Sequence, residues 1–315
     1  MKLVRGLVAW LLVLIVLSNC AAPTSVQRAP IDPKPRIAVM SAFQPELKAL
    51  RDRAQIDASY NIHGRIYTTG RLAGADVVMV MTGVSMVNAA MTTQALLDHF
   101  AVQAIVYSGI AGGTNPDLDI GDVVVPKRWG QYQEQLFARE TADGWDTGWH
   151  DAPFGHFGMM FPQKVSVARG GTSPHPDRDL FWFEVDAEMF AEAQQIVDTV
   201  ELSRCTDKNV CISETPALIT GGNGVSGPTF VDNAAYRKWV WDTFEADAAD
   251  METAAMAHVA YANDVPFIAF RSLSDLAGGG AAENEVNAFL HLAADNSAAV
   301  VKAFLSAWAT RTPPD

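Results

Sequence analysis

Along most of this chain, hydrophobic positions follow two alternating periods, one of strands and one of helices. Arg36 to Met40 is a short apolar run that predicts a buried strand entering Ser41-Ala42-Phe43. Gln44 to Gln55 reads as a helix, with Pro45 well placed near its start. Ile66–Leu72 and Asp76–Met81 predict two strands joined by Ala73-Gly74-Ala75. Val87–Phe100 carries Ala90, Leu96, Leu97 and Phe100 at a helical period. Ala104–Tyr107 is a buried strand by composition and runs into a Gly-rich turn, Ser108-Gly109-Ile110-Ala111-Gly112-Gly113. Asp122–Val125 predicts another strand. Asp250-Met251-Glu252 is an acidic turn that opens an Ala-rich helical run, Met256 to Ala262. A strand-like run, Pro266 to Arg271, then closes on Ser274-Asp275, and Asn284–Ala309 predicts a long terminal helix.

Strands alternating with helices predict a single α/β domain over residues 36–310. Its three αβα layers would enclose a central twisted, mixed sheet. Residues near 129–205 break the rhythm with Trp129, Trp145, Trp149 and Trp182 among Gly, Pro and His. This reads as an inserted segment packed on the domain. Either it covers a pocket or its aromatics anchor a long excursion to the core.

The first 19 residues read as a signal peptide, with Lys2 and Arg5 ahead of the apolar run Leu7–Leu17. That run is too short to span a membrane comfortably. Leu17-Ser18-Asn19-Cys20 resembles a lipobox, which makes Cys20 a lipidation candidate, although Asn19 departs from the usual small residue. Ordinary cleavage near Cys20-Ala21-Ala22 is the alternative. Residues 20–35 read as a Pro- and Ala-rich tether. The expected address is exported and periplasmic, with or without a lipid anchor to the membrane.

The formal charge of the 315 residues is −13, and it becomes −15 once the cations Lys2 and Arg5 are removed. No basic run is present, which excludes nucleic acid as an expected partner. Cys205 and Cys211 bracket the polar stretch Thr206–Val210. In an exported protein this pair suits a disulfide, whereas metal binding is weakly supported because no His or second Cys pair stands at ligand spacing.

Two acids attract attention on chemistry alone. Glu252, heading a helix, could accept two adjacent hydroxyl protons, as a ribose diol offers; an ordinary cap and dipole partner is the plainer reading. Asp275 ends a strand, where open α/β sheets place reactive groups.

Five segments in order resemble the nucleoside phosphorylase superfamily, and within it the 5′-methylthioadenosine/S-adenosylhomocysteine nucleosidases. They are Ile37–Glu46, Thr82–Ala90, Ser108–Gly113 followed by Ile120–Val125, Asp250–Ala254 and Arg271–Asp275. The spacings agree across about residues 36–128 and 216–306. Met81–Met86, Gly109–Gly112 and Gly224–Asn233 also resemble the branch that holds plant vegetative and bark storage proteins, some of which lack catalysis.

The resemblance implies a purine nucleosidase that hydrolyses the N-glycosidic bond of adenosine-type nucleosides. Glu46 falls at the acid that activates the attacking water, with Thr82 and Arg271 steadying it. Asp275 falls at the acid that protonates the purine N7. Glu252 falls at the acid that holds the ribose hydroxyls, and Met251 packs the sugar. Gly224, Val225 and Ser274 fall at the base. Here the chain departs, because the nucleosidases carry a stacking Phe where it has Gly224. Phe43 and Phe230 are candidate replacements. Gly109, Ala111 and Gly112 would bring backbone amides close to a ligand.

A phosphorylase, or a purine-binding storage-type protein, remains the alternative. After the first strand no arginine precedes Arg51, and Glu46 is present instead, which favours water over phosphate as nucleophile. The expected partner is a small purine nucleoside, with no metal and no organic cofactor, in a homo-oligomer (dimer or trimer). The two namesake substrates arise in the cytosol, so an exported member would act on a scavenged nucleoside.

Overall fold

The computed structural model describes residues 29–170, 177–280 and 283–311. The expected signal peptide, the lipidation candidate Cys20 and the tether up to residue 28 lie outside the described residues.

The first half runs β1 (Asp32–Ser41), α1 (Gln44–Arg51), β2 (Gln55–Ile62), β3 (Arg65–Leu72), β4 (Ala75–Met81), α2 (Met86–His99) and β5 (Phe100–Gly113). Two expectations are corrected here. α1 stops at Arg51, and Gln55 already belongs to β2, a mostly exposed edge strand that left no apolar run to read. β5 continues through the Gly-rich segment to Gly113, so that segment is strand rather than turn.

β6 (Val123–Val125) and β7 (Arg128–Gly130) follow. Next come β8 (Gln135–Phe137), β9 (Arg139–Thr141), β10 (Gly144–Asp146), β11 (Met160–Pro162), β12 (Val165–Val167) and β13 (Arg178–Leu180), which form three small two-stranded ribbons. β14 (Trp182–Glu184), α3 (Ala187–Gln195), β15 (Leu218–Thr220), β16 (Asn223–Ser226), α4 (Ala234–Phe244), β17 (Ala246–Asp250), α5 (Thr253–Ala262), β18 (Phe267–Asp275) and α6 (Val286–Thr310) complete the chain.

The main sheet is mixed. Its order is β14-β7-β16-β17-β5-β1-β4-β3-β2, with β18 paired to β5 and β6, and β15 paired to β6. β4, β1, β5 and β18 are mutually parallel, β3 runs against β2 and β4, and β17 runs against β5 but parallel to β16. Side chains of a strand alternate between its two faces. Ala38, Met40, Val78, Val80, Ile105 and Tyr107 therefore join Leu96 of α2 and Ala254, Met256, Ala257 and Ala260 of α5 in one core. Ile37, Val39, Val77, Met79, Ala104 and Val106 join Leu50 of α1, Met189 of α3 and Val301 and Phe304 of α6 in the other. The three-layer expectation holds on this alternation.

The segment near 129–205 is less separate than its composition suggests, because β7 and β14 extend the main sheet. Tyr132 and Phe181 pack with Val225, Tyr236, Trp239 and Phe244 in a third core. Trp129, Tyr132, Phe181 and Phe183 thus anchor the excursion, whereas Phe137, Trp145 and Trp149 are exposed. Cys205 and Cys211 are joined by a disulfide.

Candidate active site

A cavity of about 270 Å³ opens at the C-terminal edge of the parallel strands. Ala42, Phe43, Val84, Ile110, Ala111 and Gly112 line one part of it, and Phe230, Met251, Glu252, Ser274 and Asp275 another. This is where a parallel sheet leaves its strand ends open to a ligand.

Glu46 lies directly beneath the wall of this cavity, fully buried. It occupies the third position of α1, and its carboxylate reaches back over the helix start. Oε2 accepts the Ala42 N–H at 2.7 Å and the Phe43 N–H at 3.3 Å, and Oε1 accepts the Ile110 N–H at 2.8 Å. Burial pushes its pKa up to about 7, against the opposing pull of Arg271 and these three N–H groups.

Glu252 is the N-cap residue of α5 yet makes no side-chain cap bond. Asp250 does that work: its Oδ1 accepts the N–H groups of Glu252 and Thr253, each at 3.2 Å. The Glu252 carboxylate is thereby released toward the cavity, where Oε1 accepts the Ser85 N–H at 2.8 Å. Ser85 is held at φ 83°, a conformation costly for a residue with a Cβ. Burial pushes the Glu252 pKa up to about 8, with Arg271 opposing and Asp250 reinforcing.

Arg271 is fully buried beneath both acids. Its Nε lies 2.7 Å from Asp250 Oδ2, and Thr253 Oγ1 accepts from Nε at 3.0 Å and from Nη2 at 2.7 Å. Its plane stacks on Tyr107 at 4.5 Å, and the Tyr107 hydroxyl bonds Thr82 Oγ1 at 2.8 Å. Burial disfavours the guanidinium charge, but Asp250 above all keeps its pKa raised. Gly109 makes this approach feasible. A Cβ there would stand 2.0 Å from Arg271 Nη1 and 2.5 Å from Glu46 Oε1.

Asp275 closes β18 and lines the cavity. It accepts the Ala277 N–H and the Ser274 hydroxyl, each at 2.9 Å, and the Asn284 amide at 3.4 Å. Burial raises its pKa above the usual carboxylate value, partly offset by those hydrogen bonds. Two carboxyl groups whose pKa values burial raises, one lining the cavity and one just behind its wall, make a pair suited to acid–base chemistry.

Of the residues singled out from sequence, Ala111, Gly112, Met251, Glu252, Ser274 and Asp275 line the cavity. Glu46, Thr82, Gly109 and Arg271 lie just behind its wall. Gly224 and Val225, expected at the base, are not among the residues that line it. Val225 is fully buried in the third core, and a Cβ on Gly224 would meet the Trp129 ring at 2.6 Å. Trp129, fully buried, fills the space in which a Phe at 224 would have to begin. Asp250, Tyr107, Ser85 and Asn284 escaped the reading of the sequence. Asp250 alone carried a signal, an acid two and three residues ahead of the N–H groups it caps. Among the described residues no group of three or more His, Cys, Asp or Glu is arranged to hold a metal ion.

A family profile described as the phosphorylase superfamily matches residues 36–306. The chain belongs to this superfamily. A 5′-methylthioadenosine/S-adenosylhomocysteine nucleosidase of Tolumonas auensis is 29% identical over 272 residues, 86% of this chain and 98% of the relative. One of Bacillus cereus is 30% identical over 244 residues, 77% of this chain and 87% of the relative. The crystal structure of such a nucleosidase from Colwellia psychrerythraea, in complex with adenine, superposes with a TM-score of 0.65 at 26% identity. It covers 86% of this chain and 94% of that one. The mixed sheet, the flanking helices and the cavity at the strand ends are thus those of a phosphorylase-superfamily member.

Proposed function

We propose that this protein hydrolyses the N-glycosidic bond of adenosine-type nucleosides, with Glu46 as base, Asp275 as acid and Glu252 as holder of the ribose diol. The observation that carries this reading is the charge balance of the cavity floor. Three carboxylates, Glu46, Asp250 and Glu252, surround the single guanidinium of Arg271, which is bonded to Asp250.

Such a floor suits a ribosyl group that becomes oxocarbenium-like as the bond to the base breaks. It opposes a phosphate dianion, which needs cationic clamps. Arg36, the arginine of β1, is engaged elsewhere by Asp32 at 2.8 Å and Asp57 at 3.4 Å. Water therefore attacks C1′ and loses a proton to Glu46. Asp275 donates a proton to N7, so that the base leaves neutral. Met251 lines the sugar side, with Thr82 and Arg271 fixing the geometry around the attacking water.

The names of the relatives make 5′-methylthioadenosine and S-adenosylhomocysteine the first substrates to try. The leader-like residues 1–19 and Cys20 support export, with or without a lipid anchor, and hence a scavenged nucleoside as the physiological substrate. The exposed apolar side chains Val87 and Met91, one turn apart on α2, support a homo-oligomer. The test is release of free base from a nucleoside panel by wild type and Asp275→Asn. Adenine release by the first, reduced about 10²–10⁴-fold in the second, is expected. Equal rates would remove Asp275 from the mechanism.

A further inference from the structure

A purine held by Asp275 needs a flat apolar surface beside it. On the β16 side none is available, because Gly224 abuts the buried Trp129 ring and neither residue lines the cavity. Among the described lining residues the aromatic side chains are Phe43 and Phe230. Their positions differ in chemistry. Phe43 precedes α1, and its N–H is bound to Glu46, so it belongs to the side of the attacking water. Phe230 shares a recess of about 30 Å³ with Asp275, Gly112 and Met251, in which Phe43 has no part.

Phe230 is also 54% exposed, unusual for a large apolar side chain within a segment tied down on both flanks. The Thr229 N–H donates to Gln133 Oε1 at 3.2 Å, and the Asn233 N–H donates to the Ala277 carbonyl at 3.1 Å. The Asn284 amide donates to Asp232 at 3.1 Å and to Asp275 at 3.4 Å, linking this segment to the acid itself. The backbone is fixed while the ring stays open to the cavity, an arrangement that prepares a surface for a ligand rather than for the core.

We infer that Phe230 is the stacking platform for the purine base, in place of an aromatic residue at position 224. The inference rests on the nucleosidase reading and adds the residue that selects a flat heteroaromatic base. Asp275 and Phe230 then hold edge and face of one ring, and Asn284 keeps the two in register.

The experiment is calorimetric titration of free adenine into wild type and the variants Phe230→Ala, Phe230→Leu and Phe230→Tyr, together with kcat and KM for adenosine-type nucleosides and the oligomeric state of each. The exposed position lets the variants fold, which circular dichroism checks. Phe230→Ala should weaken adenine binding about 5- to 150-fold, the range for losing one base–aromatic stack. Phe230→Tyr should restore binding and Phe230→Leu should not, with KM for nucleoside rising more than kcat falls. Unchanged adenine affinity in Phe230→Ala, full affinity in Phe230→Leu, or an altered oligomeric state without altered affinity would each overturn the inference. If wild type releases adenine from nucleosides while Phe230→Ala binds it normally, only the platform falls. If wild type neither binds adenine nor releases it, the nucleosidase reading falls as well.

Discussion

Arg271 Nε lies 2.7 Å from Asp250, whereas its Nη2 and Nη1 stand 3.7 Å from Glu252 and 3.9 Å from Glu46. The guanidinium is thus committed to one acid and merely near the other two. Both nearby acids keep the raised pKa values that burial gives them. Asp250→Asn should release Arg271 toward Glu46 and Glu252 and lower their pKa values. The acid limb of the kcat/KM profile should then move to lower pH, and kcat should fall. A limb that stays in place would show that Asp250 does not control the arginine.

Glu46, as the proposed base, sets that limb. As a base it must be ionised, so with a pKa near 7 in the free enzyme kcat/KM should rise with pH up to about that value. Stability should run the other way. A carboxyl group whose pKa is higher folded than unfolded favours the fold when protonated. Its contribution is complete below about pH 4.5 and is lost as pH rises through about 7. The ligand-free protein should therefore melt at a lower temperature at pH 8 than at pH 5, by an amount set by at most about 3 kcal/mol from this residue. Glu46→Gln should flatten the dependence, and thermal denaturation across pH reads both outcomes. An equally steep profile in the variant would contradict the assignment.

Much of the fold was legible because it rests on alternation. Ile37–Met40 and Val77–Val80 show their two-faced burial directly in sequence. β2 was not legible, since an exposed edge strand of mixed polarity has no apolar period. The Gly-rich stretch misled for a different reason. Gly109 is needed for the close approach of Arg271 and Glu46, not for a turn, and only the tertiary arrangement shows what approaches. Glu252 and Asp275 could be picked out by their position at a helix start and a strand end. Gly224 could not be placed without seeing Trp129 behind it.

The diol assignment gives a further test. Above about pH 8, where Glu252 is ionised, Glu252→Gln retains the shape but loses charge-assisted hydrogen bonds, each worth about 1.5–3 kcal/mol. Wild type should prefer ribosides over 2′-deoxyribosides by about tenfold or more, and the variant should lose most of that preference. Steady-state kinetics on the matched pair decides, and an undiminished preference would assign the diol to other groups.

The disulfide between Cys205 and Cys211 closes a loop with a sequence separation of 6. Cross-linking so short a loop stabilises modestly, by less than the roughly 3 kcal/mol that chain entropy assigns to a 15-residue loop. Intact mass after alkylation without reduction should show both thiols blocked from reagent. Addition of reductant should lower the melting temperature by only a few degrees. Two alkylated cysteines in protein isolated under oxidising conditions would rule the bridge out.

Water activated at Glu46 is the proposed nucleophile, and the nucleophile decides which sugar product forms. The most direct measurement follows the sugar product of a cleaved nucleoside by NMR, in phosphate-free buffer and in buffered phosphate. The free pentose should form in both, at equal rates. Turnover only in phosphate, with the sugar 1-phosphate as product, would contradict that role of water.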